Sequence, residues 1–346
     1  MKDLKYLAAF IIPLLAALGL KLGGFYSFMA VGFAFGLIPL LEPLLPESTA
    51  NLSQEEAKSK LSSFFFDVLL YLNLPLVYGV MAYFVFWLHT GNYSAYEILG
   101  NVLSVGTLLG ANGINVAHEL GHRFNKAENI LAQALLLPSF YMHFFIEHNL
   151  GHHKNVATAE DPSSARFNEP VYVFWVRSTF QSYAHAWSLE HARLKRLGSS
   201  ALSLKNRMIW FTIFQLVYVI AILTFASVST ALLVIVSGVI GFLLLETINY
   251  IEHYGLQRKK LKSGKYERVR PKHSWNSNHE LGRIVLYELT RHSDHHFISS
   301  KKYQVLEHHE ESPQLPFGYP TSMLASLVPP LWFRLMNMRV KNFNAL

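Results

Sequence analysis

Nine histidines stand in four short clusters: His118-Glu-Leu-Gly-His122, Glu147-His148-Asn-Leu-Gly-His152-His153, Glu252-His253-Tyr-Gly and His292-Ser-Asp-His295-His296. Imidazole is the commonest metal-binding side chain, and rings three or four residues apart share one face of a helix. His148 and His152 are therefore expected side by side, with His153 rotated by about 100°. That rotation lets one turn serve two ions, and His292, His295 and His296 repeat the design. The chain has no cysteine, which excludes disulfides, iron–sulfur clusters and thiolate ligation. Imidazole alone suits iron, zinc, copper or nickel, so the ligand type does not select the metal.

His118 and His122 with Glu119 between them resemble the zinc-protease signature. The pair follows an apolar segment, however, and further clusters come after it, which fits a soluble protease poorly. Nine neutral rings leave two divalent ions without compensating charge. Glu119, Glu147, Asp161, Glu252 and Asp294 are the carboxylates placed to help, most of them by accepting the second ring N–H of a ligand. His273 and His279 lie near the clusters and are candidates for the same supporting role, as is His143. His89 reads as a membrane-interface residue. His185, His191, His308 and His309 read as surface groups.

The elements that must position these rings are apolar. Of the 346 residues 51% are hydrophobic and only 15% charged, against about a quarter charged in a soluble domain. Crossing a bilayer takes about 20 apolar residues. Six stretches qualify, at 4–22, 25–45, 65–88, 95–117, 208–227 and 229–250. Lys21-Leu-Gly-Gly24 reads as a tight hairpin between the first two. The stretch 129–146 carries Gln133, Pro138, Ser139 and His143, so it reads as a buried or interfacial helix. Segment 47–60 reads as a capped loop opening the third span.

Basic residues then set the orientation. With both termini on the cytoplasmic side, the outer connections are 22–24, 89–94 and 227–230, and only Lys21 lies at the edge of one. The other lysines and arginines fall at the N-terminus, in 46–64, in 118–207 and beyond 253, on the same side as every histidine cluster. The formal charge of +7 is explained by an anionic membrane face without any nucleic acid. Arg258-Lys-Lys260, Lys262 and Lys265 would also attract an acidic protein partner. The reading is an all-α membrane protein: one domain over 1–346, six transmembrane helices, and a cytoplasmic helical cap from 118–207 and 251–346.

The clusters in this order resemble those of the integral-membrane alkane 1-monooxygenases, relatives of the membrane fatty-acid desaturases and hydroxylases. Asn249-Tyr-Ile-Glu-His-Tyr-Gly-Leu256 and Leu289-Thr-Arg-His-Ser-Asp-His-His296 carry the likeness. So do Tyr266-Glu-Arg-Val-Arg-Pro-Lys-His-Ser-Trp-Asn-Ser-Asn-His279, Ala157-Thr-Ala-Glu-Asp-Pro162 and Gln314-Leu-Pro-Phe-Gly-Tyr-Pro320. The resemblance implies a non-haem centre of two iron ions held by the nine histidines. It also implies hydroxylation of the terminal carbon of straight-chain alkanes by O2. The electrons would come from rubredoxin and its NAD(P)H-dependent reductase, and the location would be the bacterial inner membrane. Arg123, Thr290 and Phe297 depart from the family pattern, and Phe297 is expected to alter the pocket.

An alkane dissolves in the bilayer, so a channel between spans is the natural entrance. Ala34 and Phe35, in Gly32-Phe-Ala-Phe-Gly36, are candidates to line it. A membrane fatty-acid desaturase or hydroxylase acting on acyl lipids is the nearest alternative, since its histidine boxes are similar. A metal transporter fits less well, because transporters set polar ligands at membrane depth. Chain-length range, oligomeric state, native redox partner, use of other methyl groups and which histidine serves which ion are not written in the sequence.

Overall fold

The computed structural model describes residues 2–344. Helices dominate, and no strand occurs among the described residues; only isolated bridges such as Glu47 with His279 do. Five helices are long and apolar enough to cross a membrane: α1 (Asp3–Leu22), α2 (Gly24–Leu44), α4 (Phe65–Thr90), α8 (Arg207–Phe225) and α9 (Val228–His253). The protein is integral to a membrane. Other helices are α3 (Gln54–Ser62), α5 (95–121), α6 (Lys126–Leu136), α7 (Val171–Arg196), α10 (His292–Phe297) and α11 (Pro329–Asn344), with shorter turns between them.

Helix α5 covers the fourth expected span but is less apolar than the other five. It carries Glu97, Asn101, Asn112 and Asn115 and is buried over most of its length. Amide donors on it find partners inside the protein: Asn112 donates to the Ala9 carbonyl at 2.9 Å and to the Asn73 side-chain oxygen at 2.8 Å. Such internal pairing is what lets a polar helix sit among apolar ones.

Local chemistry sets the ends of the elements. Gly23 and Gly24 both have positive φ, 64° and 56°, so the expected hairpin uses the left-handed region open to glycine. Ser53 and Glu56 form a reciprocal capping box that starts α3. Asn206 caps α8 by accepting from the Met208 N–H. Gly255, at φ 69°, ends α9 just past His253. The stretch 129–146 breaks at Phe140, whose φ is 55°, and as expected does not form a span.

The chain packs as two compact units. The first comprises the chain up to Leu37, Phe64–Ile146 and Ala186–Leu245. Within it α5 meets α9 through small residues. A Cβ on Gly106 would stand 2.5 Å from Ile240, and one on Gly241 2.8 Å from Leu109, so backbones approach as closely as glycine permits. The second unit comprises Ile38–Ser63, Glu147–His185 and the chain from Glu246 onward. It holds seven of the nine cluster histidines.

Candidate metal centre

In the second unit the turn after Glu147 is not α-helical. His148–His152 form a π-helical turn, whose i→i+5 hydrogen bonds stack residues five apart. An α-helix would place His148 and His153 about 140° apart. Here their Nε2 atoms are 3.0 Å from each other, and His295 Nε2 is 3.2 Å from His153 Nε2. The expected pairing of His148 with His152 is thus corrected: the wide turn aligns His148 with His153 and sends His152 elsewhere.

His152 joins His253, His292 and His296, all four buried, and its Nε2 is 3.2 Å from that of His296. In each group the rings offer nitrogens within 4.8 Å of one another. Two ligands at right angles on bonds of about 2.1 Å lie about 3 Å apart, so these nitrogen–nitrogen separations fit a shared ion in each group. Burial pushes the His296 ring well below the usual histidine range, which keeps it in the neutral form that binds metal. His118 and His122 close α5 in the first unit, ring centroids 5.1 Å apart.

Backbone anchors hold the rings in register. Arg291, fully buried, donates to the Leu306 carbonyl at 2.6 Å and to that of Ala50 at 2.9 Å, fixing the start of α10. Asn276 accepts from the Ser293 N–H at 2.8 Å and donates to its hydroxyl at 2.6 Å. Thr290 donates to the Ser277 carbonyl at 2.9 Å.

The supporting carboxylates divide. Asp161 Oδ2 lies 2.9 Å from His152 Nδ1 and accepts from the Ser164 hydroxyl at 2.6 Å. Burial works against its charge, but the His152 ring and the Ser164 hydroxyl outweigh that and hold it below the usual carboxylate range. Glu252 Oε2 lies 3.0 Å from His292 Nε2, and its Oε1 accepts from the Tyr319 hydroxyl at 2.8 Å. Glu147 faces His185 instead, at 3.1 Å; burial lifts its carboxyl and that hydrogen bond lifts the His185 ring. Asp294 takes Lys301 at 2.8 Å and His309 at 2.7 Å. Glu119 pairs with Arg123 at 2.8 Å.

His273 sits 3.3 Å from Glu267, with burial pushing its ring down to about 4. His279 faces the Ser277 hydroxyl at 3.0 Å and Glu47 at 3.6 Å. Neither stands among the clustered rings. His185 and His309, expected on the surface, each hold a carboxylate adjoining a cluster; their chain neighbours were legible beforehand, their partners were not. Tyr319 was visible only as part of the Gly318-Tyr-Pro320 segment.

A family model described as fatty acid desaturase matches residues 92–324. Alkane 1-monooxygenase 2 of Pseudomonas aeruginosa is 37% identical over 96% of this chain and 92% of its own length. The chain belongs to the alkane 1-monooxygenase family. Alkane 1-monooxygenase 2 of Alcanivorax borkumensis is 38% identical over 99% of this chain and 92% of its own. The hydroxylase component of a xylene/toluene monooxygenase from Pseudomonas putida is 29% identical over 97% and 88%. Within this family the three departures are now placed. Arg123 reaches Glu119 and, at 3.0 Å, Asp67, and Thr290 is buried. Phe297 is corrected: it is 48% exposed, against the edge of His309, and lines neither group of rings.

Proposed function

We propose that the protein is a membrane monooxygenase that hydroxylates the terminal carbon of straight-chain alkanes with O2. The balance is alkane, O2, two electrons and two protons giving the 1-alkanol and water. The observation that carries the reading is the pair of imidazole groups, one wholly and one largely buried, in a chain that matches alkane 1-monooxygenases over nearly its whole length. Nine histidines, His118, His122, His148, His152, His153, His253, His292, His295 and His296, hold two iron ions.

Bound iron supplies the O2 activation and oxidising power that no side chain has. The polypeptide does the rest. Asp161 accepts the Nδ1–H of His152 and so leaves Nε2 to face the metal. Tyr319 donates to Glu252 and holds that carboxylate against His292. Burial of the His152, His253, His292 and His296 rings limits the access of bulk water to that group. The alkane enters from the bilayer beside α2, where Ala34 is buried and Phe35 half-buried.

Helix α5 is taken as the sixth span, with the amide N–H groups of Asn101 and Asn112 paired within the bundle, in one catalytic domain over 1–346. Both termini and the histidines lie on the cytoplasmic side of a bacterial inner membrane, supported by the basic residues on that side. Reduced rubredoxin, fed by an NAD(P)H-dependent reductase, delivers the electrons; the 346 residues hold no cysteine with which to ligate an iron–sulfur centre of their own.

The test supplies the protein in lipid with rubredoxin, reductase and alkanes of graded length. The expected product is the 1-alkanol, lost when His152 and His295 are both alanine. Alkenes or hydroxylated acyl lipids in place of alkanols would favour the desaturase-type reading that the matched family model keeps open. Turnover confined to methylated aromatics would move the substrate toward that of the xylene/toluene relative.

A further inference from the structure

Helix α7 is 26 residues long yet is not among the helices apolar enough to cross a membrane. One of its faces is nevertheless apolar and exposed, with the Tyr172 hydroxyl at its start donating to the Leu327 carbonyl at 2.6 Å. Tyr172, Val176, Phe180 and Tyr183, spaced four, four and three residues apart, fall on one stripe. All are exposed, Phe180 to 71%. A separate face is polar and engaged. Ser178 donates to Glu246 Oε2 at 2.5 Å, and the Trp175 indole N–H to the Thr247 hydroxyl at 3.1 Å.

Those partners fix the height of the helix. Glu246 and Thr247 lie in the last two turns of the apolar helix α9, about 10 Å from its end at His253. Further along, Glu190 accepts from the backbone N–H of Arg207 at 2.8 Å and from its guanidinium at 2.7 Å. Arg207 is the first residue of the apolar helix α8. Both ties belong to the ends of spans that carry the chain's basic residues. Past the helix, Leu197, Leu202 and Leu204 are also exposed and lead straight into that span.

We propose that α7 lies in the plane of the membrane, with its Tyr172–Val176–Phe180–Tyr183 stripe set into lipid at the boundary between headgroups and acyl chains. Tyrosine is enriched at that level because its ring is apolar and its hydroxyl is wet. In-plane amphipathic helices bury an apolar face this way and present cations to anionic headgroups. Lys195 and Arg196, both exposed at the end of α7, supply them. The inference needs the membrane, not the reaction.

Because the chain has no cysteine, single-cysteine variants carry one fluorescent label each. Val176→Cys and Phe180→Cys change exposed positions and spare the fold. Leu216→Cys, within α8, is the lipid reference and Lys262→Cys the water reference. The full chain is placed in nanodiscs of phosphatidylcholine with phosphatidylglycerol, and lipids spin-labelled at shallow or deep positions act as quenchers. Labels at 176 and 180 are expected to be quenched at least half as strongly as at 216, more by shallow than by deep spin labels, and far less by aqueous iodide than at 262. Two results would overturn the proposal. One is iodide quenching equal to that at 262 with no effect of the lipid labels. The other is silence toward both quenchers, which would mean that protein covers the face.

Discussion

Asp161 lies 2.9 Å from His152 Nδ1, across the ring from the Nε2 that faces His296. It has two further anchors, the Ser164 hydroxyl and, at 3.1 Å, the Ser163 N–H, so it holds a fixed pose instead of following the ring. Loss of such an outer carboxylate typically costs about 10–100-fold in metal affinity. Asp161→Ala is expected to lower ferrous-iron affinity by that order while the helical circular-dichroism signal stays. Asp161→Asn should recover part of the loss, because an amide oxygen still accepts the Nδ1–H. Equal affinity in all three proteins would remove the orienting role. A second residue-scale prediction concerns Ala34, buried in a π-turn of α2 (Phe33–Leu37). Ala34→Trp should shift turnover toward shorter alkanes, read as the ratio of alkanols from a mixture. An unchanged product ratio would remove Ala34 from the substrate path.

Among the elements, the π-turn at His148–His152 does what an α-helix cannot, aligning rings five residues apart. A π-turn is an α-helix holding one extra residue, and this gives it a test. Deleting Asn149 lets the turn close as α-helix with His148 and His153 four apart, still on one face. Inserting an alanine after Asn149 instead rotates His152 and His153 by about 100° against His148. Retained iron in the deletion and lost iron in the insertion is the expected pattern, read by metal analysis of protein with an unchanged gel-filtration profile. Iron retained in the insertion would show that the turn does not set the spacing. The same turn marks where sequence reasoning stopped. Cluster spacing said that rings would converge, but assuming 3.6 residues per turn paired His148 with the wrong neighbour.

For the whole molecule, seven clustered rings in one unit put several buried nitrogens side by side. A metal that binds the folded state and not the unfolded one stabilises it by mass action, about 2.7 kcal/mol per site at one hundred times its dissociation constant. Ferrous iron should therefore raise the melting temperature of detergent-solubilised protein, and a chelator should reverse the rise. His292→Ala, which removes one ring of a buried group, should blunt it. A melting temperature indifferent to iron would mean that the rings are held by one another alone.

The membrane character, the helical class and the identity of the clustered histidines were legible in the chain itself, because hydropathy and residue type are local properties. Helix ends were legible too where Gly23 in the hairpin and the capped segment 47–60 carried a turn or cap signal. The partners of the carboxylates were not. Asp161 reaches a ring nine residues away, Glu252 a hydroxyl 67 residues away, and Asp294 is matched by Lys301 and His309. No period in a sequence encodes which acid meets which base across that separation. Only the packed chain decides it, since burial favours partners for most polar groups wherever the fold happens to bring one.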